Sequence, residues 1–513
     1  MAYAPGIQAL LAKPRDWECI ESNVPECALA LAVSFIIFTI IYRIYFHPLR
    51  DVPGPLAAKV TELWRTGKYA RGNWHQDILD LHSKYGPVVR VSPNEVSFVD
   101  KHALAQVYGH GKGTRKFFNS MDPAEHSFLR KRVSGAFTMS TILSLESEIQ
   151  GNADLLWSKL DQFAQQGKSV NLHHWSSYFA FDVVGKIGIG APIGFLENGG
   201  DIKDIIKSIH NGFYHLSNLG YIPGQQAWVN NPVTQFMFKL LRGKGSSFST
   251  FNEWSLKQVV DRLNEPKDVD RKRDILDYFI EMKEPNGDKA TLPSVLIEIG
   301  NLIGAGADTT AIGICSVLAE LIPRPKDLLR IRQEVDMVHN EIANGKDDHI
   351  GIPYVMLAKL PFLNACIKEA LRLHPSILWQ LPREAPASGI EIAGHFIPPS
   401  ATLSMSPVAH NRDKTIFGLD ADEWKPERWI TGKINSESNI REMDKYNTTF
   451  GYGARVCIGR NLALVEIHKI IAEFCRRYDA EFVNKEQPFT MKSQWFSYHG
   501  EMNVLLKPRE MAV

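Results

Sequence analysis

Pairing is what the cysteines of this 513-residue chain lack. Cys19, Cys27, Cys315, Cys366, Cys457 and Cys475 are scattered with no CxxC or CxxxxC unit. That argues against a disulfide framework or a structural zinc, and it suits a reducing compartment for the main domain. His173 and His174 adjoin, but no third ligand stands at a metal-binding spacing. Charge of one sign is also missing. The 58 Lys and Arg nearly cancel the 57 Asp and Glu, for a net charge of +1, so a nucleic-acid role has no electrostatic footprint. No internal repeat, low-complexity block or Gly/Ser linker interrupts residues 50–513, which reads as one large domain.

Long hydrophobic runs are present. Cys27 to Phe46 holds about 20 mostly apolar residues, enough to span about 30 Å as a helix. Asp16, Glu18, Glu21 and Glu26 precede the run, whereas Arg43, Arg50 and Lys59 lie at or after its end. That asymmetry places the bulk of the chain in the cytosol. The expected organisation is a short lumenal tail (1–26), a transmembrane anchor (27–46), a proline-rich hinge (47–58) and a main domain (59–513). Pro48, Pro53 and Pro55 stiffen the hinge by fixing φ and removing donors.

In the main domain, Val88 to Val99 alternates around Pro93-Asn94 and predicts a hairpin. Residues 390–399 and 402–405 predict further short strands. The remainder has mostly helical period, including a helix of about 29 residues from Ser294 to Ile322 between Pro293 and Pro323. The fold class is mainly α with small sheets (α+β).

Two stretches carry chemistry. Phe450-Gly-Tyr-Gly-Ala-Arg-Val-Cys-Ile-Gly459 is one cysteine inside a glycine-rich loop before an amphipathic helix. Glycine lets backbone approach a flat macrocycle and can direct N–H groups at the sulfur. The plainer alternative is a turn with a buried free cysteine. Gly304-Ala-Gly-Ala-Asp-Thr-Thr310 puts two glycines and three polar residues inside the long apolar helix. Either this is a kink or a helix crossing that needs small residues, or it is a groove admitting O2, with Asp308 and Thr309 as an acid–alcohol relay.

Together these motifs resemble the cytochrome P-450 (haem-thiolate monooxygenase) family across nearly all of residues 50–510. The resemblance implies the haem-thiolate fold behind one transmembrane helix. It makes Cys457 the axial iron ligand, with Phe450 covering the thiolate. Arg130, Arg383 and Arg455 would bind haem propionates. His126 stands where the family usually has Trp, so its donor is an imidazole. Asp308 and Thr309 match the family's oxygen-activating pair. Glu369 and Arg372 resemble the Glu-x-x-Arg helix, and Pro426-Glu-Arg-Trp429 the Pro-Glu-Arg-Phe segment, which implies a buried Glu369–Arg372–Arg428 network. Lys131 and Arg132 are surface charges or face an electron donor. The substrate pocket would draw on Phe117-Phe118, residues 213–216, Ile377-Leu-Trp379 and Trp495-Phe496, which suits an apolar small molecule.

Residues 45–55 resemble the post-anchor hinge of microsomal, fungal members. Phe181 to Gly190 and Gly194 to Asp201 are similar to the pisatin demethylase-like branch, which serves secondary metabolism and detoxification. The expectation is a single-pass protein of the endoplasmic reticulum membrane with a cytosolic catalytic domain. It would take electrons from NADPH through a cytochrome P-450 reductase. Two other readings stay open: a haem-thiolate isomerase or dehydratase working without a reductase, and a non-enzymatic membrane haem protein.

Overall fold

The structure, a computed structural model, describes residues 16–109, 122–222, 247–264, 271–343, 351–432 and 434–509, with a few isolated positions between 223 and 246. Phe117 and Phe118 lie outside the described residues.

Helix α1, Asp16–Ile41, runs on through a π-helical turn, Tyr42–Phe46. Among the described residues it already covers positions 16–26, which the expected organisation assigns to the tail. Its stretch Glu26–Phe46 is long and apolar enough to cross a membrane, and none of it is buried in the protein.

The following segment is docked against the domain. Leu49 and Val52 are buried. The guanidinium of buried Arg90 donates to the carbonyls of Arg43, Leu49 and Pro93 at 2.7–3.3 Å. Gly54 crosses so closely that an added Cβ would stand 2.4 Å from the Arg90 carbonyl oxygen, which explains a glycine there. A short helix, Leu56–Val60, already starts inside the expected hinge.

Eleven short strands lie among the described residues. They are β1 Val88–Ser92, β2 Glu95–Phe98, β3 Ser169–Asn171, β4 Arg383–Glu384, β5 Ile390–Ile392, β6 His395–Ile397, β7 Thr402–Ser404, β8 Tyr478–Phe482, β9 Thr490–Gln494, β10 Phe496–Gly500 and β11 Asn503–Pro508. They form sheets ordered β1-β2-β7-β4 and β3-β11-β8 and two hairpins, β5-β6 and β9-β10. The expected hairpin at 88–99 is β1 and β2, with Val88 opposite Phe98. Its polar positions are buried too, because each finds a partner. Glu95 pairs with Arg65, and Ser97 Oγ lies 2.8 Å from His82 Nε2.

The helices that build the core are α2 Pro123–Val133, α3 Glu146–Gln166, α4 Leu172–Ile189, α5 Ile205–Leu219, α6 Leu292–Leu321, α7 Pro361–Leu373 and α8 Arg460–Arg477. At about 1.5 Å per residue, the 30 residues of α6 cross the whole domain. Its Thr291 cap and Pro293 in the first turn set its start, two residues earlier than the proline suggests. It packs against α4, α7 and α8. Gly313 permits the last contact, since a Cβ there would meet Ile467 Cδ1 at 2.9 Å.

Helix α8 is less amphipathic than its sequence suggests. Its polar residues His468, Lys469, Glu473 and Arg476 are also buried. They avoid the cost of unpaired polar groups by pairing: Lys469 with Glu146 at 2.8 Å, His468 with Asn364 at 2.9 Å, and Arg476 with Glu473 at 2.8 Å.

Candidate functional site: a cysteine loop facing a long distal helix

The cysteine loop is closed by its own backbone. Cys457 N–H donates to the Phe450 carbonyl at 2.8 Å, and Gly451 N–H to that of Thr448 at 2.8 Å. Gly451 and Gly453 take φ of 79° and 67°, values that favour glycine. A Cβ on Gly453 would also collide with the Tyr108 carbonyl oxygen.

The Cys457 side chain keeps accessible surface although protein crowds it on most sides. Burial raises its pKa. The backbone N–H of Gly459, the charge of Arg130 and the N–H of Arg460 pull the other way. Cys315, Cys366 and Cys475 are fully enclosed, and burial pushes the thiols of Cys315 and Cys475 up to about 12. Among the described cysteines of the main domain, Cys457 alone presents its sulfur.

Basic groups converge beside it from three separate segments. His126 and Arg130 stand one turn apart on α2, which Asp122 caps with 2.8 Å to the Ala124 N–H. Arg383 is buried on β4, its guanidinium 4.7 Å from the centre of the Tyr108 ring. Arg455 comes from the cysteine loop itself. Burial lowers the pKa of His126, and Arg455, Arg130 and Arg383 lower it further, so its imidazole is neutral. Burial and Arg383 likewise lower Arg455. His126 thus feels the charges of Arg455, Arg130 and Arg383, and Arg455 that of Arg383. An anion set among them relieves that repulsion.

Behind the loop, Glu369, Arg372 and Arg428 are 0%, 0% and 2% exposed. Glu369 Oε1 accepts from Arg372 Nη2 and Arg428 Nε at 2.8 Å each. Its Oε2 accepts from Arg372 Nε at 2.8 Å and from Trp429 Nε1 at 2.9 Å. Trp429 therefore adds a donor that phenylalanine lacks. Sequence reasoning missed Asn411, which joins this network to the loop. Its Oδ1 accepts from the Thr448 N–H and hydroxyl at 2.9 and 2.8 Å, while Arg372 Nη1 donates to its carbonyl at 2.7 Å.

Helix α6 presents small and polar residues over part of its length. Ala305 is exposed and Thr309 partly so, in the middle of a helix otherwise sunk in the core. Thr309 Oγ1 donates to the Ala305 carbonyl at 2.7 Å, and Thr310 Oγ1 to that of Gly306 at 2.8 Å. Asp308 is 2% exposed and bonds His210 of α5, not Thr309. Neighbouring residues on a helix do not face each other. The glycines face other helices. A Cβ on Gly304 would lie 3.8 Å from Phe213, and one on Gly306 3.4 Å from Val184. Both are ordinary contacts, so neither helix crossing requires glycine.

Several expected pocket residues are core. Leu378 and Trp379 are fully buried, Trp379 stacked on Tyr69 at 3.9 Å, and Trp495 and Phe496 are nearly so. Phe213, Tyr214 and Ile377 keep accessible surface. Arg132 is turned inward to Glu298 and Glu284 at 2.8 and 3.3 Å, so it does not face an electron donor; Lys131 is exposed. Glu466 on α8, also missed, is fully buried with neither carboxyl oxygen bonded, and burial keeps it protonated. The segment 181–201 is structural in part. Buried Asp182 accepts from the N–H groups of Gly194, Phe195 and Leu196 at 2.7, 3.2 and 2.8 Å.

The family described as Cytochrome P450 matches residues 53–510. The chain belongs to the cytochrome P450 family of haem-thiolate monooxygenases. Similar proteins include a pisatin demethylase of Fusarium vanettenii, 30% identical over 510 residues that make up 96% of each chain. The cytochrome P450 monooxygenase cicH of Emericella nidulans is 30% identical over 509 residues, 94% of this chain and 99% of that one. The cytochrome P450 monooxygenase mpaDE of Penicillium roqueforti is 30% identical over 503 residues, 94% of this chain and 58% of that protein.

The family implies haem with a cysteine thiolate. The residues present fit such a group: one cysteine that keeps accessible surface, with Arg130 near enough to act on it, and the basic groups gathered around His126.

Proposed function

We propose that Cys457 is the axial haem ligand of a membrane-anchored monooxygenase acting on an apolar small molecule. The presented Cys457 sulfur, in a loop whose glycines let backbone N–H groups reach it, carries this reading. In it, Arg130, Arg383, Arg455 and neutral His126 hold the propionates, and Phe450 covers the thiolate. Glu369, Arg372 and Arg428, through Asn411, keep the loop in place. Haem, when bound, supplies the activation of O2. The Thr309 hydroxyl, already donating to Ala305, has lone pairs free to accept and order a hydrogen-bonded proton in the site. Asp308 is the acid from which protons enter.

The half-buried Phe213 and Ile377 give the substrate an apolar wall. The named relatives support a role in fungal secondary metabolism or detoxification. Electrons come from NADPH through a cytochrome P-450 reductase. The anchor is residues 27–46 and the hinge 47–58, with the 59–513 domain on the cytosolic side of the endoplasmic reticulum membrane.

The deciding experiment is the spectrum of the reduced carbon-monoxide complex. The parent protein is expected to show the long-wavelength Soret band of a thiolate-ligated haem. Cys457→Ser is expected to lose it, and a variant that kept the band would refute the assignment. NADPH-dependent, O2-dependent product formation with added reductase then separates the monooxygenase from an isomerase.

A further inference from the structure

Asp308 is held from across the molecule. His210 Nε2, on α5, lies 2.8 Å from Asp308 Oδ1, and the two side chains are 22% and 3% exposed. Asp308 Oδ2 has no hydrogen-bond partner. An isolated buried carboxylate is costly unless a cation offsets it, and His210 is the cation in reach. The titratable groups facing His210 come from every side. Asp308 lies on α6, Asp201 precedes α5, His173 and His174 lie on α4, and Tyr498 lies on β10 with its ring 4.7 Å away. Only the two aspartates carry negative charge.

Burial opposes an imidazolium at His210. The Asp308 charge, its hydrogen bond and Asp201 outweigh this and raise His210 above the ordinary 6.5. His173 goes the opposite way, lowered by burial and by His210 to about 4, and His174 is lowered for the same reasons. The proton of this cluster therefore sits on His210. Its imidazole is also the partly exposed member of the pair, so it can exchange protons with water while Asp308 cannot.

We propose that His210 is a positioning residue for the reaction. It holds the Asp308 carboxylate in orientation through the 2.8 Å contact and supplies it with protons. Nε2–H of the imidazolium gives its proton to Oδ1, and the Asp308 carboxyl so formed releases a proton into the site, which returns it to the carboxylate. The neutral imidazole then regains its proton from solvent on the α5 side. No electrons move, and each proton delivered inward is matched by one taken from water. This rests on the monooxygenase reading, in which Asp308 is the proton entry. It adds a source that lies 98 residues away in sequence.

The sign of the pH dependence follows. His210 is fully charged below its ordinary value and loses its proton as pH rises through the raised one. Product formed per NADPH consumed falls with it.

The test uses the full-length holoenzyme with reductase, from about pH 6 to about pH 9, a range that brackets histidine titration. The parent is expected to lose coupling as pH rises above 6.5. His210→Gln, which keeps a donor without the charge, is expected to be coupled about 10²-fold less well, the lower end for a proton-transfer group, with no pH dependence of its own. His210→Lys is expected to restore coupling and move its loss to higher pH. Independently of turnover, NMR of labelled histidine in the ferrous carbon-monoxide form should show His210 titrating above 6.5, and falling in Asp308→Asn.

The proposal is overturned if His210→Gln keeps the parent pH profile, or if Asp308→Asn leaves the His210 titration unmoved. If His210→Gln fails to take up haem, the titrations of the parent and Asp308→Asn decide. A parent without the thiolate Soret band would instead sink the monooxygenase reading, which is a separate outcome.

Discussion

Helices α1 and α6 each carry a stretch long and apolar enough to cross a membrane, yet none of the stretch in α1 is buried in the protein while most of that in α6 is. They even share a detail. Thr39 Oγ1 in α1 donates to the Phe35 carbonyl at 2.7 Å, and Thr309 Oγ1 in α6 donates to the Ala305 carbonyl at 2.7 Å. The difference lies in what surrounds them. In α1, Leu31, Phe35 and Phe38 are 72%, 71% and 67% exposed, an apolar surface that the protein itself leaves uncovered. In α6, Ile312, Ile314 and Val317 are fully buried by neighbouring helices, and Asp308 is tolerated because His210 answers it. Apolar length therefore identifies a helix that must be covered, and its polar residues and their partners identify what covers it.

The largest break in this comparison should come from a charge with no partner. Ile314→Asp places a carboxylate in a dry core, a cost of several kcal/mol against a typical total stability of about 5–15 kcal/mol. No folded haem protein should be recovered, as judged by the yield of the carbon-monoxide spectrum.

Next in size is the contrast between the two threonines. Thr309→Ala should keep haem and substrate binding but divert NADPH to hydrogen peroxide or water, with product formation down by about 10²–10⁴-fold. Thr39→Ala, which loses the same backbone hydrogen bond, should leave turnover unchanged. Equal product per NADPH in the two variants would make Thr309 a packing residue.

Truncating apolar side chains probes burial directly. Ile314→Ala should lower stability by about 2–5 kcal/mol, measured by thermal or denaturant unfolding. Phe35→Ala should leave the unfolding of the domain unchanged to within about 0.5 kcal/mol.

The smallest effect belongs to Gly306→Ala. The added Cβ meets Val184 at 3.4 Å, an ordinary contact, and alanine is favoured over glycine in helices by about 1 kcal/mol. The variant should fold with stability within about 1 kcal/mol of the parent. A severe loss would mean that the groove needs an open space at that position.

Features with local causes were legible in the sequence. The apolar run 27–46 is continuous and flanked by unlike charges. The cysteine loop is one unbroken stretch whose glycines answer to backbone geometry, and Glu369 and Arg372 are one helical turn apart. Each depends on interactions among near neighbours, so order along the chain is enough to reveal it. What only the tertiary structure decided depends on which surfaces meet. The Gly304-to-Thr310 motif reads either as a kink or helix crossing or as a groove and a relay. In the fold its glycines lie against Phe213 and Val184 with room for a methyl group, and its acid is bonded by His210. Helix α8 reads as amphipathic, but its His468 and Lys469 are buried in pairs with residues more than a hundred positions away. Trp379 and Phe496 read as pocket and lie in the core. Periodicity tells which residues share a face of a helix. The partner of that face is set by packing between distant segments, where burial turns a lone carboxylate from a tolerable surface charge into one that must be answered.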